Sequence, residues 1–157
     1  MKVRIEELGI TCNKCESDGL IKFKEEIDIE LIKSLMDSAK RAKTRIKKDT
    51  RSYEKETKDY TFIFRDNYEI LRTLIDAFLL FDKVKADNHQ CSNAHLCTKH
   101  SELELDWDTL ESIRILRNGI NYEGKTVDLE KWNKFKLQFE IYINTLTREI
   151  EKKLEER

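Results

Sequence analysis

Two pairs of ligating side chains in this sequence share one spacing. Cys12-Asn-Lys-Cys15 and Cys97-Thr-Lys-His100 each separate their ligating groups by two residues. Brought together, the pairs would supply the sulfur and nitrogen donors of a tetrahedral zinc site. Four protein ligands leave no position for water, so such a zinc would be structural rather than catalytic. A second arrangement replaces Cys97 and His100 with Cys91 and His95, which lie four apart and on one face of a helix. The competing reading makes Cys12 and Cys91 small core residues and lets His89 merely open a helix. On the zinc reading, the metal clips an N-terminal extension, residues 1–27, to a short helix of the following domain, residues 28–157.

The stretch IRILRNGINYEGKTV, Ile113 to Val127, carries the second candidate. Arg114 and Arg117 are three apart, which puts them on one helix face, and Gly119 is expected to stop that helix just beyond them. Cations at a helix C-terminus are favoured by its dipole, so two solvated arginines capping a helix is a sufficient reading. The functional alternative is a phosphate-binding patch of Arg114, Arg117, Asn118 and Lys125, which would hold a phosphate by charge-assisted hydrogen bonds. A basic run, AKRAKTRIKKDTR from Ala39 to Arg51, is either a solvated face balanced by acids such as those of EKETKD, or a phosphate-tracking surface adjoining the arginines.

The elements that must position these residues are helices. The 157 residues make about one domain, and with no proline and four glycines almost nothing interrupts helical periodicity. Charged residues form 39% of the chain yet balance to a net charge of -1, so attraction to an anion must come from local patches. No apolar run reaches the length of a membrane span, and MKVRIEELGI has charges where a signal peptide needs its apolar region. The protein is expected to be cytoplasmic, with cysteines that are thiols or metal ligands, hyperthermophile disulfides being the exception.

Apolar spacing predicts a first long helix from Ile29 behind an Asp28 N-cap, and a second from about Tyr53 to Phe81. The segment DKVKADN breaks that helix. A short helix follows over His89 to His100, then one from Trp107 to Gly119 behind Asp106, and a last long helix behind Asp128 with a stripe from Leu129 to Leu154. Long helices with short connections pack as an all-α antiparallel bundle of four to five helices.

This order of elements, with Arg117-Asn118 ending a helix before a tight loop and a final long helix, resembles the HEPN domain (higher eukaryotes and prokaryotes nucleotide-binding). The family motif is an arginine, usually a polar residue next, and a histidine after four to six intervening residues. Arg117 and Asn118 match it, while Tyr122 stands where the histidine is expected. The resemblance implies RNA or nucleotide binding, a two-fold homodimer lining one cleft, and a nucleotidyltransferase-type antitoxin as a partner in a toxin-antitoxin system. It also implies a metal-independent endoribonuclease chemistry, in which histidine handles the proton and arginine neutralises the phosphorane.

Tyr122 decides how much of that chemistry to expect. With a pKa of about 10, a phenol is protonated at neutral pH and makes a poor general base. Three readings compete: a buried phenol packed beside Trp132, a ligand-binding residue that stacks on a base or donates to a phosphate, and a catalytic residue. His89, His95 and His100 are candidates for the missing base, on another helix. The sequence therefore predicts binding with cleavage weak or lost, an active ribonuclease as the first alternative, and a helical scaffold without nucleic-acid function as the second.

Overall fold

The computed structural model describes residues 4–56 and 59–157, the side chains of residues 52–56 excepted. Six α-helices and one two-stranded sheet are described: α1 (Leu8–Ser17), β1 (Ile21–Phe23), α2 (Ile29–Glu56), α3 (Thr61–Leu79), β2 (Val84–Ala86), α4 (His89–Lys99), α5 (Trp107–Glu123) and α6 (Leu129–Glu155). Short 3-10 turns, Leu80–Asp82 and Ser101–Leu103, lead out of α3 and α4. No described helix is long and apolar enough to cross a membrane.

Four helix starts are set by side-chain caps. Asp28, Asn88, Asp106 and Asp128 accept from the backbone N–H groups of Leu31, Cys91, Thr109 and Lys131 at 2.8–3.0 Å. Each satisfies an amide that the first turn leaves without a partner, worth typically ~1 kcal/mol. The apolar stripes then close on one another. Ile32 and Met36 of α2, Phe64, Leu71, Leu74 and Phe78 of α3, Ile113 of α5, and Phe139, Leu146 and Ile150 of α6 form a single core. Burying each contributes about 1.5–3 kcal/mol. α3 is the central helix, packed against α2, α4, α5 and α6, and it buries residues on more than one face, among them Ile63, Phe64, Ile70, Leu71, Leu74, Ile75, Phe78 and Leu79.

Three expectations change. The helix predicted from Tyr53 begins at Thr61 instead, and Tyr53 belongs to α2. Asp59 marks the new start by accepting from the Thr61 amide at 3.0 Å, while the Tyr60 amide donates to the Val127 carbonyl at 2.8 Å. No proline or glycine signals this break, so periodicity alone ran across it. The expected acids of EKETKD fall largely on residues whose side chains lie outside those described.

Gly119 does not stop α5, which continues to Glu123 and ends at Gly124 in the left-handed region, φ 65°. Gly119 answers a packing need: the Lys125 side chain folds back over it, its Cδ 2.7 Å from where a Cβ would sit. Arg114, Arg117 and Asn118 consequently lie inside the helix, and Tyr122 joins its last turn.

Residues 4–27 are also more integrated than an extension. β1 pairs antiparallel with β2 in the register Ile21↔Ala86, Lys22↔Lys85 and Phe23↔Val84. Cys12 joins Ala94 and Trp107 in a second small core, with Ile5 and Leu8 against it, and the Trp107 indole donates to the Glu6 carbonyl at 2.9 Å. Two strands of three residues each do not disturb an all-α bundle; they tie its first helix to the start of α4.

Candidate functional site

An open cleft of about 420 Å³ lies where the N-terminus of α4 meets one face of α5, lined by Asp87, Asn88, His89, Gln90, Arg114, Arg117, Asn118 and Tyr122. The α5 residues recur at three, four and eight, which is one helical face. The residues at 87–90 are held by the β1–β2 pairing and by the Asn88 cap on Cys91. Arg117, Asn118 and Tyr122 therefore share a cleft with a histidine from another helix.

Arg114 and Arg117 differ in what holds them. Arg114 makes a bidentate pair with Glu111, Nε to Oε2 at 2.8 Å and Nη2 to Oε1 at 2.9 Å. Glu111 is only 1% exposed and also accepts from Gln90 at 3.1 Å and Asn93 at 3.3 Å. That network is chiefly structural, because an unpaired carboxylate in such surroundings is costly. Arg117 instead reaches across to α3. Its Nη2 donates to Glu69 Oε1 at 2.8 Å, its Nη1 to Asn118 Oδ1 at 3.4 Å, and its guanidinium lies 5.2 Å from the Tyr68 ring centre. Arg117 Nε is buried without a partner.

His89 sits between these groups and Tyr68. Its Nδ1 lies 3.0 Å from the Tyr68 hydroxyl, which leaves Nε2 as the nitrogen available to a ligand. Burial, then the positive charges of Arg72 and Arg117, push the imidazole down to about 4, against a smaller opposing effect of Glu69. His89 is thus neutral at physiological pH. Burial likewise pushes the Tyr68 phenol up to about 12, so that it keeps its proton.

Tyr122 is 80% exposed, which removes the reading of a phenol buried beside Trp132. Trp132 stacks on Tyr60 and Phe139 instead. Lys125 is not among the residues lining the cleft. Its amine pairs with Glu123 at 3.2 Å, a consequence of the fold-back over Gly119. The basic run is also elsewhere: Lys40 pairs with Glu151 at 2.7 Å, and Lys43 bonds Asn144 at 2.9 Å on α6. Arg45 of the run shares a hollow with Arg65 and with Glu69, the partner of Arg117.

The four residues expected to hold zinc are not assembled. Cys15 is bonded to Cys91 in a disulfide with a Cα–Cα separation of 5.7 Å, so neither sulfur is a thiolate ligand, and the alternative set with Cys91 and His95 is lost with it. Cys12 and Cys97 are free thiols. Burial pushes the Cys97 thiol up to about 12. His100 is committed to two carboxylates, with Nε2 on Asp82 and Nδ1 3.1 Å from Glu102. His95 Nε2 shares the same Asp82 oxygen at 3.2 Å. Among the described residues no group of three or more His, Cys, Asp or Glu is placed to hold a metal ion. This Asp82 clip also keeps His95 and His100 out of the cleft, and of the three candidate bases only His89 lines it.

Sequence reasoning missed Tyr68, Glu69 and Glu111. The Glu111–Arg114 spacing of three was a legible helix-pair signal. Nothing in the order of residues paired Glu69 with Arg117, which are 48 apart. No family model matches the chain, and neither a curated protein nor a solved structure gives a match.

Proposed function

We propose that the protein is a HEPN-like RNA- or nucleotide-binding protein whose ligand enters the cleft of Arg117, Asn118, Tyr122 and His89, with cleavage weak or lost. The observation that carries this reading is the convergence of the motif positions on one open cleft, with Tyr122 standing 80% exposed at its edge. A bare scaffold gains nothing from an exposed tyrosine beside a partly unsatisfied arginine. The phenol offers a stacking face for a base, and Arg117, Arg114 Nη1 and Asn118 Nδ2 offer donors to phosphate oxygens. The Glu69 and Glu111 pairs hold the guanidinium groups in place and also weaken their field, which favours modest affinity. A homodimer and a nucleotidyltransferase-type antitoxin as partner belong to the same proposal.

The active-ribonuclease reading gains one specific observation, the neutral His89 in the same cleft. A base held at about 4 accepts a proton weakly at neutral pH, so this imidazole supports slow rather than efficient cleavage. The deciding experiment is fluorescence anisotropy with a labelled single-stranded RNA and a labelled nucleotide, comparing wild type with Arg117→Ala and Tyr122→Ala. Stacking worth about 1–3 kcal/mol per base predicts a loss of roughly five- to 150-fold for Tyr122→Ala. Binding that is unchanged in both variants overturns the proposal.

A further inference from the structure

Tyr68 of α3 is 4% exposed, and its hydroxyl lies 3.0 Å from Nδ1 of His89, the residue that opens α4. Among the described residues the phenol has no other hydrogen-bond partner. Which nitrogen of a neutral imidazole holds the proton is set by the bond that the other nitrogen makes. If Nδ1 donated to the phenol oxygen, the buried O–H would be left without an acceptor, so the hydroxyl donates and Nδ1 accepts. Burial holds the phenol at about 12, where it keeps that proton, and burial with the charges of Arg72 and Arg117 keeps the imidazole neutral. The ring proton is therefore on Nε2. That atom has no protein partner among the described residues and is not shut off from solvent.

We propose that Tyr68 is a positioning residue that fixes His89 as an Nε2–H hydrogen-bond donor to a phosphate oxygen of the ligand. The inference rests on the RNA- or nucleotide-binding reading of the cleft and names the part of His89 in it. The acceptor follows from the neighbours. Arg114, Arg117 and Asn118 line the same cleft with N–H groups, and Asp87 at its edge is paired with Lys22 at 3.2 Å. A wall of donors suits the oxygens of a phosphate, which only accept, better than a base edge, which mixes donors with acceptors. The tautomer also bears on cleavage. A general base needs a lone pair aimed at the substrate hydroxyl, and here the accessible nitrogen carries a proton while the lone pair faces Tyr68. Cleavage is thus held back at His89 as well as at Tyr122.

The test reads the tautomer by long-range proton–nitrogen NMR of the full chain carrying isotope-labelled histidine, the His89 signals being those lost in His89→Gln. At neutral pH a protonated Nε2 is expected, with an Nδ1 that Tyr68→Phe moves toward an unbonded acceptor nitrogen. A protonated Nδ1, or signals that Tyr68→Phe leaves in place, overturns the proposal while the binding reading of the cleft stands. Uridine monophosphate is expected to shift the Nε2 signal and uridine to leave it; equal shifts with both overturn the phosphate contact. In anisotropy with the labelled single-stranded RNA, His89→Leu is expected to bind about tenfold or more weakly, the loss of a hydrogen bond to a charged group, and His89→Gln to recover most of that loss. Unchanged affinity in a folded His89→Leu, checked by circular dichroism, overturns the proposal alone. RNA and nucleotide that both fail to bind the wild type overturn it together with the proposed function.

Discussion

Arg114→Ala should unfold the protein more readily than any other single change in the cleft. The substitution removes both bonds from Arg114 to Glu111, whose carboxylate is then left almost wholly buried. Breaking one partner from a buried ion pair costs about 3–5 kcal/mol. Two considerations place this case at the lower end: Gln90 and Asn93 still donate to Glu111, and the Arg114 side chain is itself 18% exposed. About 3 kcal/mol is therefore expected, which for a chain of this size lowers Tm by roughly 6–12 °C. Arg117→Ala is the internal comparison. Its partner Glu69 is 42% exposed and is hydrated when freed, so the loss should stay near or below about 1 kcal/mol. Urea titration of both variants, with Glu111→Gln added to Arg114→Ala, gives the answer. Neutralising Glu111 should restore a good part of the lost stability, because the penalty lies in the orphaned charge. Equal stabilities for Arg114→Ala and Arg117→Ala would refute the assignment of Arg114 to structure and return it to the ligand.

Cleavage of a labelled RNA in chelator should be slow for wild type and faster for Tyr122→His, since an imidazole near neutrality restores a general base worth about a hundredfold or more; Arg117→Ala controls for contaminating nuclease. Thiol counting by mass spectrometry after alkylation should modify Cys12 and Cys97 and spare Cys15 and Cys91 until a reductant is added. Reduction, or Cys15→Ser, opens a loop closed over a separation of 76 residues, for which the chain-entropy account gives about 4.5 kcal/mol as an upper figure. The Asp82 clip should be pH-dependent in a definite window. Burial opposes it, but hydrogen bonds and charge from His100 and His95 together hold the Asp82 carboxyl below its usual 3.8, so its contribution is present above that value and fades in acid. The same carboxylate raises His100 above 6.5, so the contribution of the imidazole is full below 6.5 and fades as pH climbs through the raised value. The stability gap between wild type and Asp82→Asn, read from denaturant midpoints, should peak between about pH 4 and 6.5 and narrow by pH 9. A gap that widens with alkali would contradict the clip.

The helices were legible because their causes are local. Asp28, Asp106 and Asp128 sit one residue before their apolar stripes, and each caps its helix as the spacing predicts. The face shared by Arg114, Arg117 and Asn118 follows from the same 3.6-residue period. Where a helix ends was less legible, since Gly119 fills a packing need set by Lys125 and the stop comes at Gly124. Pairings across the chain were not legible at all. The spacing of CNKC and CTKH suggested one cluster, but Cys15 meets Cys91 because β1 pairs with β2 and brings α1 to α4. Whether Tyr122 faced core or solvent was not legible either: it is 80% exposed, and Tyr60 and Phe139 stack on Trp132. The sequence by itself determined the helices, their caps and the arginine face, since each depends on residues within a turn or two. Only the tertiary structure decided that His89 joins that face, that Glu69 holds Arg117, and that the cysteines pair as they do. The Tyr68–His89, Glu69–Arg117 and Cys15–Cys91 contacts join residues 21, 48 and 76 apart, and their partners are set by how the apolar stripes pack.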